Sequence, residues 1–214
     1  MVFRLNETSS IADNFLYELR DVSIQRDRMR FRKNIERLGE IMAYEVSRKL
    51  PYESQVMQTP LGSLKVSLLK EQPVLVTVMR AGLPFFQGFL NFFDHADCSF
   101  IGAYRQETAE KLTIKLKYAA TSEIAGKILI LIDPMLATGR SVVDSLDVLL
   151  KKGLPNHLHV VSMIAAPEGL DLLQQKISIP FTLWTCAVDE KLDENYFIVP
   201  GLGDAGDLSY GVKI

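Results

Sequence analysis

The chain has 214 residues, of which 48% are hydrophobic, so it can build one substantial core in a single domain spanning residues 1–214. Its 24 Lys and Arg residues nearly balance its 26 Asp and Glu residues, and the net charge of −2 provides no general basic surface for nucleic acid. The sequence shows neither a signal-peptide pattern nor an apolar run of about 20 residues, so we expect a cytoplasmic protein without membrane contact.

Two helices are predicted before residue 51. The first is indicated by apolar residues at helical spacing, namely Ile11, Phe15, Leu16 and Leu19. The second is amphipathic, runs from about residue 27 to residue 50, and stops at Pro51. Its start is rich in basic residues: Arg26, Arg28, Arg30, Arg32, Lys33 and Arg37. These charges are typical of a solvated helix face or a subunit contact, and an RNA contact is the alternative.

Strand and helix patterns alternate along the rest of the chain. Strands are predicted within residues 53–70 and at 73–79, 98–104, 113–118, 128–132, 159–164 and 181–186. Helices are predicted at 85–93, 142–152 and 170–176. This rhythm predicts an α/β fold with a parallel sheet flanked by helices. Lys- and Glu-rich sequence around 113–118 indicates a mobile arm rather than core.

The stretch from residue 128 to residue 141 has the features of a phosphate site. Five apolar residues predict a strand buried on both faces, and Asp133 follows where the strand ends. Residues 138–141, Thr-Gly-Arg-Ser, then open a helix, whose free N–H groups and dipole suit a phosphate. Because a carboxylate would repel that phosphate, Asp133 is better placed to bind sugar hydroxyls, and together the two groups suit a phosphorylated ribose. An ordinary strand–turn–helix unit with a capped helix is the alternative interpretation.

Two arginines follow predicted strands in a similar way. Arg80 comes directly after strand 73–79 and precedes Gly82, which indicates an anion held beside backbone N–H groups. Tyr104 and Arg105 end the next strand. An Arg beside a Gly turn, or an exposed Arg, would explain each position without a ligand. His157 and His159 share a strand face but have no third ligand nearby in the sequence, so no metal site is predicted.

The segment from residue 196 to residue 207 has an unusual composition. Three glycines, one proline and two aspartates fall within residues 200–207, which predicts neither helix nor regular strand. A loop with bare backbone N–H and C=O groups suits a small planar ligand with alternating donors and acceptors, such as a pyrimidine-dione. We therefore interpret this segment as a loop suited to such a small planar ligand.

These motifs together resemble a known family. The run Asp133-Pro-Met-Leu-Ala-Thr-Gly139 resembles the phosphoribosyl-diphosphate (PRPP) loop of type I phosphoribosyltransferases, and its Asp-Pro pair resembles the uracil phosphoribosyltransferase version. The segments at 80–82, 104–105, 165–169 and 196–207 are similar to that family's diphosphate, Tyr-Arg, Ala-Ala-Pro-Glu-Gly and uracil segments. The resemblance covers about residues 20–211. Arg140 stands where the family usually has Gly, and we expect its guanidinium to point outward or to add charge near the phosphate.

The resemblance implies the type I fold with a small hood, to which about residues 1–50 and 185–214 would contribute. It implies the reaction of uracil with PRPP to give UMP and diphosphate, with Arg80, Arg105 and Asp133 as catalytic residues. The implied PRPP-binding residues are Arg80, Gly82, Arg105, Asp133, Pro134, Met135, Leu136, Ala137, Thr138, Gly139, Arg140, Ser141 and Asp204. The implied uracil-binding residues are Ile198, Gly203, Asp204 and Ala205.

The resemblance also implies partners and a cofactor. Mg²⁺ is expected to arrive on PRPP rather than on a protein site. A homo-oligomer, either a dimer or a tetramer, and GTP as a nucleotide effector are further expectations. Two alternatives stay open: a transferase for another base, and an RNA-binding regulator built on the same fold with its basic second helix.

Overall fold

The computed structural model describes residues 2–108 and 111–212, and the side chains of all of these except residues 103–108 and 111–117. The strands are β1 (Val2–Arg4), β2 (Tyr52–Thr59), β3 (Gly62–Leu69), β4 (Val74–Met79), β5 (Asp97–Thr108), β6 (Lys111–Ala120), β7 (Ile128–Ile132), β8 (Met135–Leu136), β9 (His157–Ala165), β10 (Phe181–Val188), β11 (Lys191–Leu192) and β12 (Ile198–Val199). The helices are α1 (Ile11–Arg20), α2 (Arg28–Ser47), α3 (Gly82–Leu90), α4 (Arg140–Leu150), α5 (Pro167–Lys176) and α6 (Ala205–Tyr210).

A mostly parallel sheet forms the centre of the molecule. Within the described residues it has eight strands in the order β1-β10-β9-β7-β4-β5-β6, and β8 also pairs with β9. The pairing of β5 with β6 is antiparallel, whereas the other neighbours are parallel. This confirms the predicted α/β class. Because β4 and β7 are parallel neighbours, with Thr77 opposite Ile132, the residues that follow them leave the sheet at the same edge.

The buried strand β7 shows why five apolar residues occur in a row. Ile130 and Ile132 pack into a core with α1, α2 and α3, whereas Leu129 and Leu131 pack into a second core with α4 and α5. Successive side chains of a strand point to opposite faces, so a sheet covered by helices on both faces needs apolar residues at every position. The central strand is therefore fixed from both sides, and so is the point where it ends.

The helix predictions are confirmed with shifts at the ends. Helix α2 begins at Arg28, because the Asp27 side chain accepts a hydrogen bond from the backbone N–H of Arg30. Helix α3 was predicted at 85–93 but begins at Gly82. Pro84 falls in its first turn, where a missing N–H costs no helical hydrogen bond. None of the described helices combines the length and apolar character needed to cross a membrane.

Strands β2 and β3 form a separate antiparallel hairpin. Nearly all of its residues are exposed, and they include large apolar side chains, namely Tyr52, Val56, Met57, Leu61, Leu64 and Leu68. Two isolated strands are marginally stable in water at best. The hairpin is therefore a surface that would gain from a covering partner.

Candidate active site

A cleft of about 170 Å³ opens at the carboxyl ends of β4 and β7. Its walls come from three separate segments, within residues 78–81, 133–141 and 197–206. Ligands of open α/β sheets bind at this edge, outside the carboxyl ends of the strands. The register of β4 against β7 thus brings together two motifs that the sequence places far apart, and residues 197–206 add a third wall.

The turn after β7 forms one wall. Asp133 is 9% exposed as a residue; its Oδ2 accepts a hydrogen bond from Ser141 Oγ (2.7 Å), and its Oδ1 accepts one from the Met135 backbone N–H (3.3 Å). Gly139, the residue before α4, has φ +75°, a conformation that favours glycine. Gly139, the N-cap residue, has no side chain to cap α4, and Thr138 Oγ1 accepts a hydrogen bond from the Arg140 N–H (3.4 Å). The first N–H groups of the helix and an oriented carboxylate thus lie at the same wall, as a phosphorylated sugar requires.

The turn is supported from below by Gly169 of α5. A Cβ on Gly169 would lie 2.5 Å from the carbonyl oxygen of Ala137 and 2.8 Å from that of Leu136. In return, a Cβ on Gly139 would lie 3.0 Å from the carbonyl oxygen of Gly169. The backbone of the turn therefore packs directly on the backbone of α5. The Ala-Ala-Pro-Glu-Gly motif has a clear local role, because it supplies the residue without a side chain at this contact.

Arg80 forms the second wall at the end of β4. Its Nη2 lies 2.8 Å from Asp207 Oδ1, and its Nη1 donates to the carbonyl oxygen of Gly211 (3.2 Å). Gly82 lies beneath this segment, where a Cβ would collide with Thr77 Oγ1. The guanidinium is thereby held at the cleft by the C-terminal segment of the chain.

The third wall is the glycine-rich segment. Ile198 of β12 is buried, and Gly201 and Gly203 have φ of +57° and +92°. The prediction of irregular structure through residue 207 is wrong, because α6 begins at Ala205. Asp204 Oδ1 accepts hydrogen bonds from the N–H groups of Gly206 (2.8 Å) and Asp207 (3.0 Å), so it caps a helix that the glycine content concealed.

Comparison with known proteins decides which family has this arrangement. The sequence model of the family described as uracil phosphoribosyltransferase matches residues 8–212. The chain belongs to the uracil phosphoribosyltransferase family. A uracil phosphoribosyltransferase of Porphyromonas gingivalis is 45% identical over 214 residues, which cover 100% of this chain and 99% of the relative. One of Pyrococcus furiosus is 33% identical over 211 residues, which cover 97% and 89%.

Solved structures agree with this family at the level of the fold. The AQ2163 protein from Aquifex aeolicus is similar with a TM-score of 0.88, at 31% identity and with 100% of both chains covered. A hypoxanthine phosphoribosyltransferase from Staphylococcus aureus is similar with a TM-score of 0.51, covering 91% of this chain and 93% of its own. At 12% identity the second likeness concerns the type I phosphoribosyltransferase fold alone.

Most residues expected to bind ligands in a uracil phosphoribosyltransferase lie at the cleft. The predicted residues that line it are Arg80, Asp133, Met135, Ala137, Thr138, Gly139, Ser141, Ile198, Gly203, Asp204 and Ala205. Gly82, Pro134 and Leu136 instead lie beneath the walls, and Arg140 is exposed. The side chains of Arg105 and of residues 113–117 in the predicted arm fall outside those that are described, and the backbone of that arm lies in β6. The roles of these residues stay predictions.

Sequence reasoning missed several lining residues: Val78, Met79, Ala81, Phe197 and Gly206. Phe197 could have been found, because it directly precedes Ile198 in the recognised motif. Val78 and Met79 carried only a strand pattern, which says nothing about a ligand.

Three basic side chains of α2, those of Arg30, Arg32 and Lys33, are engaged within the chain. Arg30 Nε donates to Glu18 Oε2 (2.7 Å), and hydrogen bonds from Arg30 and then Asn34 lower the pKa of Glu18 to about 2. Arg32 Nη1 donates to the carbonyl oxygen of Ser209 (2.7 Å), and Lys33 pairs with Glu36. These contacts favour a structural role for the helix over an RNA contact.

Proposed function

We propose that this protein transfers the phosphoribosyl group of PRPP to uracil, giving UMP and diphosphate. One observation carries the proposal: a single cleft combines an oriented carboxylate beside the N-terminus of α4 with a backbone-lined turn at residues 203–205. The wall at residues 133–141 suits a sugar phosphate, and the turn at residues 203–205 suits the edge of a planar base. The two reactants of a phosphoribosyl transfer would thus meet in one place.

The sugar is the first reactant. Asp133 would accept hydrogen bonds from the ribose hydroxyls, and residues 138–141 would hold the 5′-phosphate. The hydrogen bond from Ser141 to Asp133 orients the carboxylate in advance, so that less freedom is lost when the sugar binds. Much of the rate enhancement would come from such positioning.

The second requirement is to stabilise the departing diphosphate. We infer a dissociative transfer, in which the bond from C1 to diphosphate loosens, cationic character grows on the ribose and a uracil nitrogen attacks. Arg80 and Arg105 would stabilise the charge that develops on the leaving group, an effect of about 3–4 kcal/mol for a well-placed donor. Asp207 already holds the Arg80 guanidinium at the cleft, so little reorganisation is needed.

Mg²⁺ would accompany PRPP. This ion keeps several waters and binds phosphate oxygens together with one or two carboxylates. Among the described residues, Asp133 and Asp204 are the carboxylates that line the cleft, and no group of three or more His, Cys, Asp or Glu side chains is placed to hold a metal. A metal that arrives on the substrate fits this donor set, and when bound it would neutralise part of the diphosphate charge.

The base would be read at the third wall. Backbone groups of residues 203–205 cannot exchange donor for acceptor by rotating, so they suit one pattern of hydrogen bonds only. Ile198 would pack against the base, and Asp204 would face both substrates. A mismatched base would leave buried polar groups unpaired, at about 1–3 kcal/mol each.

We also propose that the chain forms a dimer or tetramer, in which the β2–β3 hairpin is covered by a second copy. Its support is the exposed apolar surface of the hairpin, including Leu61 at 100% and Val56 at 69% exposure. Light scattering after size exclusion would measure the mass, and a monomer at all concentrations would contradict it. Activation by GTP and a cytoplasmic location stay predictions.

The test of the main proposal is an assay of nucleotide formation from PRPP with uracil, orotate and hypoxanthine in parallel. We expect UMP from uracil and no nucleotide from the other two bases. Turnover of another base without uracil would identify a different transferase on this fold. No turnover with any base, together with RNA binding that weakens steeply with salt, would favour the regulator instead.

A further inference from the structure

A cluster of side chains behind the glycine-rich segment has no place in the proposed chemistry. Arg20, the last residue of α1, forms two hydrogen bonds with the carboxylate of Asp189, from Nη1 to Oδ2 (2.8 Å) and from Nη2 to Oδ1 (2.7 Å). Asp189 directly follows β10, and its side chain is 6% exposed. Such a two-pronged pair is among the strongest and most directional contacts between side chains.

The same two side chains hold the backbone of Gly201. Arg20 Nη1 donates to the Gly201 carbonyl oxygen (2.9 Å), and the Gly201 N–H donates to Asp189 Oδ2 (2.8 Å). Gly201 is buried with φ +57°, and a Cβ there would collide with the Ile198 carbonyl oxygen. Both polar backbone groups of this residue therefore depend on a pair of charges from elsewhere in the chain.

A third contact comes from the same N-terminal segment. Gln25 Nε2 lies 3.3 Å from the Leu202 carbonyl oxygen and also donates to the carbonyl oxygen of Leu19 (3.0 Å). The stretch between Ile198 and Gly203 is thus held from behind by the end of α1 and the turn that follows it. Within the described residues, neither Arg20 nor Asp189 lines the cleft.

We propose that Arg20 and Asp189 are positioning residues for the base, which set the height and angle of residues 201–205 against the cleft. The inference rests on the proposed function, because it takes uracil to be bound by those residues. A displacement of about 1 Å in a binding group is enough to lower reactivity by roughly 10²-fold. The turn that faces the sugar phosphate is supported separately, by Gly169.

A role in stability alone makes a different prediction. If the pair only anchors α1, its loss lowers the amount of folded enzyme, which reduces the maximal rate and leaves both KM values unchanged. If the pair positions the base turn, the KM for uracil rises while the KM for PRPP stays the same. KM does not depend on the concentration of active enzyme, so it separates the two roles.

The experiment compares Arg20→Gln, Arg20→Lys and Asp189→Asn with a matched control. Arg30→Gln breaks another two-pronged pair between an Arg and a carboxylate, that of Arg30 in α2 with Glu18 in α1; among the described residues, this pair makes no hydrogen bond with residues 198–206. We expect the KM for uracil to rise roughly tenfold or more in Arg20→Gln and Asp189→Asn, which corresponds to about 1.4 kcal/mol. Arg20→Lys should recover part of this loss, because it keeps the charge but not the planar fork.

The outcomes separate the inference from the proposed function. Wild-type protein that forms no UMP would refute the proposed function and, with it, this role. Active wild-type protein whose variants keep both KM values, as we expect of Arg30→Gln, or raise both KM values together, would overturn the inference alone. If Arg20→Gln does not fold, Arg20→Lys and Asp189→Asn decide by the same ratio of KM values.

Discussion

Replacing Gly169 with alanine should damage PRPP use specifically. The added Cβ would lie 2.5 Å from the Ala137 carbonyl oxygen, and ordinary van der Waals contact begins at 3.4 Å, so the turn must retreat by about 0.9 Å. The Ala137 carbonyl oxygen is a backbone atom, so it cannot move aside as the end of a flexible side chain could. The φ of Gly169 lies outside the left-handed region, so alanine adds bulk without backbone strain. The effect is therefore steric and falls on the phosphate turn.

The magnitude follows from two sources. Overpacking of this kind costs about 1–3 kcal/mol of stability, or a few degrees in Tm per kcal/mol for a chain of this size. A displacement near 1 Å at a positioning element should reduce kcat/KM for PRPP by roughly 10²-fold. Steady-state kinetics with varied PRPP at saturating uracil would measure this loss, and thermal unfolding would measure the stability.

Gly62→Ala is the matched control. Gly62 also has an ordinary φ, and among the described residues no atom lies within 4 Å of a Cβ placed on it. We expect Tm and kinetics to stay at wild-type values in this variant, provided that light scattering shows the wild-type mass, because Gly62 lies in the hairpin that we propose a second copy covers. If Gly169→Ala keeps a wild-type KM and kcat for PRPP, then the contact between α5 and the turn does not position the phosphate site.

Three further outcomes can be measured. Asp133→Asn should keep the Tm, because size and the hydrogen bond from Ser141 can persist, yet lose kcat/KM for PRPP by roughly 10²-fold; wild-type kinetics would contradict its contact with ribose. Gly203→Val should abolish UMP formation while calorimetry still detects PRPP binding, because φ +92° strains any β-branched residue; retained UMP synthesis would place the base elsewhere. Burial lowers the pKa of His159 to about 3, below its ordinary value of 6.5. The contribution of neutral His159 to the free energy of unfolding is therefore complete above about pH 6.5 and is lost as pH falls towards 3, by about 1.4 kcal/mol per pH unit. Urea unfolding at several pH values should show a weaker dependence on pH in His159→Gln.

The order of strands and helices was predictable from the sequence because each element carries its own periodicity. Phe31, Ile35 and Leu38 recur at helical spacing, and all three are buried in α2. The unbroken apolar run of β7 correctly indicated a strand covered on both faces. The start of α6 was missed for a local reason: glycine and aspartate lower helix propensity, and the capping hydrogen bonds from Asp204 that offset this are visible only in three dimensions.

The candidate site was predictable where its chemistry is local. The acid at the end of β7, Gly139 before α4 and Gly203 could be placed at the cleft because each belongs to a motif of neighbouring residues; the ligands that they bind stay predictions. The pairing of Arg80 with Asp207 was not predictable, because it joins residues 127 positions apart. A motif can show that an Arg suits an anion, but it cannot show which carboxylate holds that Arg at the cleft.

The supports of the cleft also differ in how far apart in sequence their residues lie, and their separation has a functional consequence. The turn before α4 packs on Gly169, which is 30 residues from Gly139, whereas the segment 201–205 is held by Arg20, 181 residues from Gly201. The described contacts join these two supports to different walls of the cleft. Residues that are distant and share no partners usually have additive effects on free energy. The affinities for PRPP and uracil should therefore be separable: Gly169→Ala should act on the first, Arg20→Gln on the second, and the double variant should show the sum of the two changes.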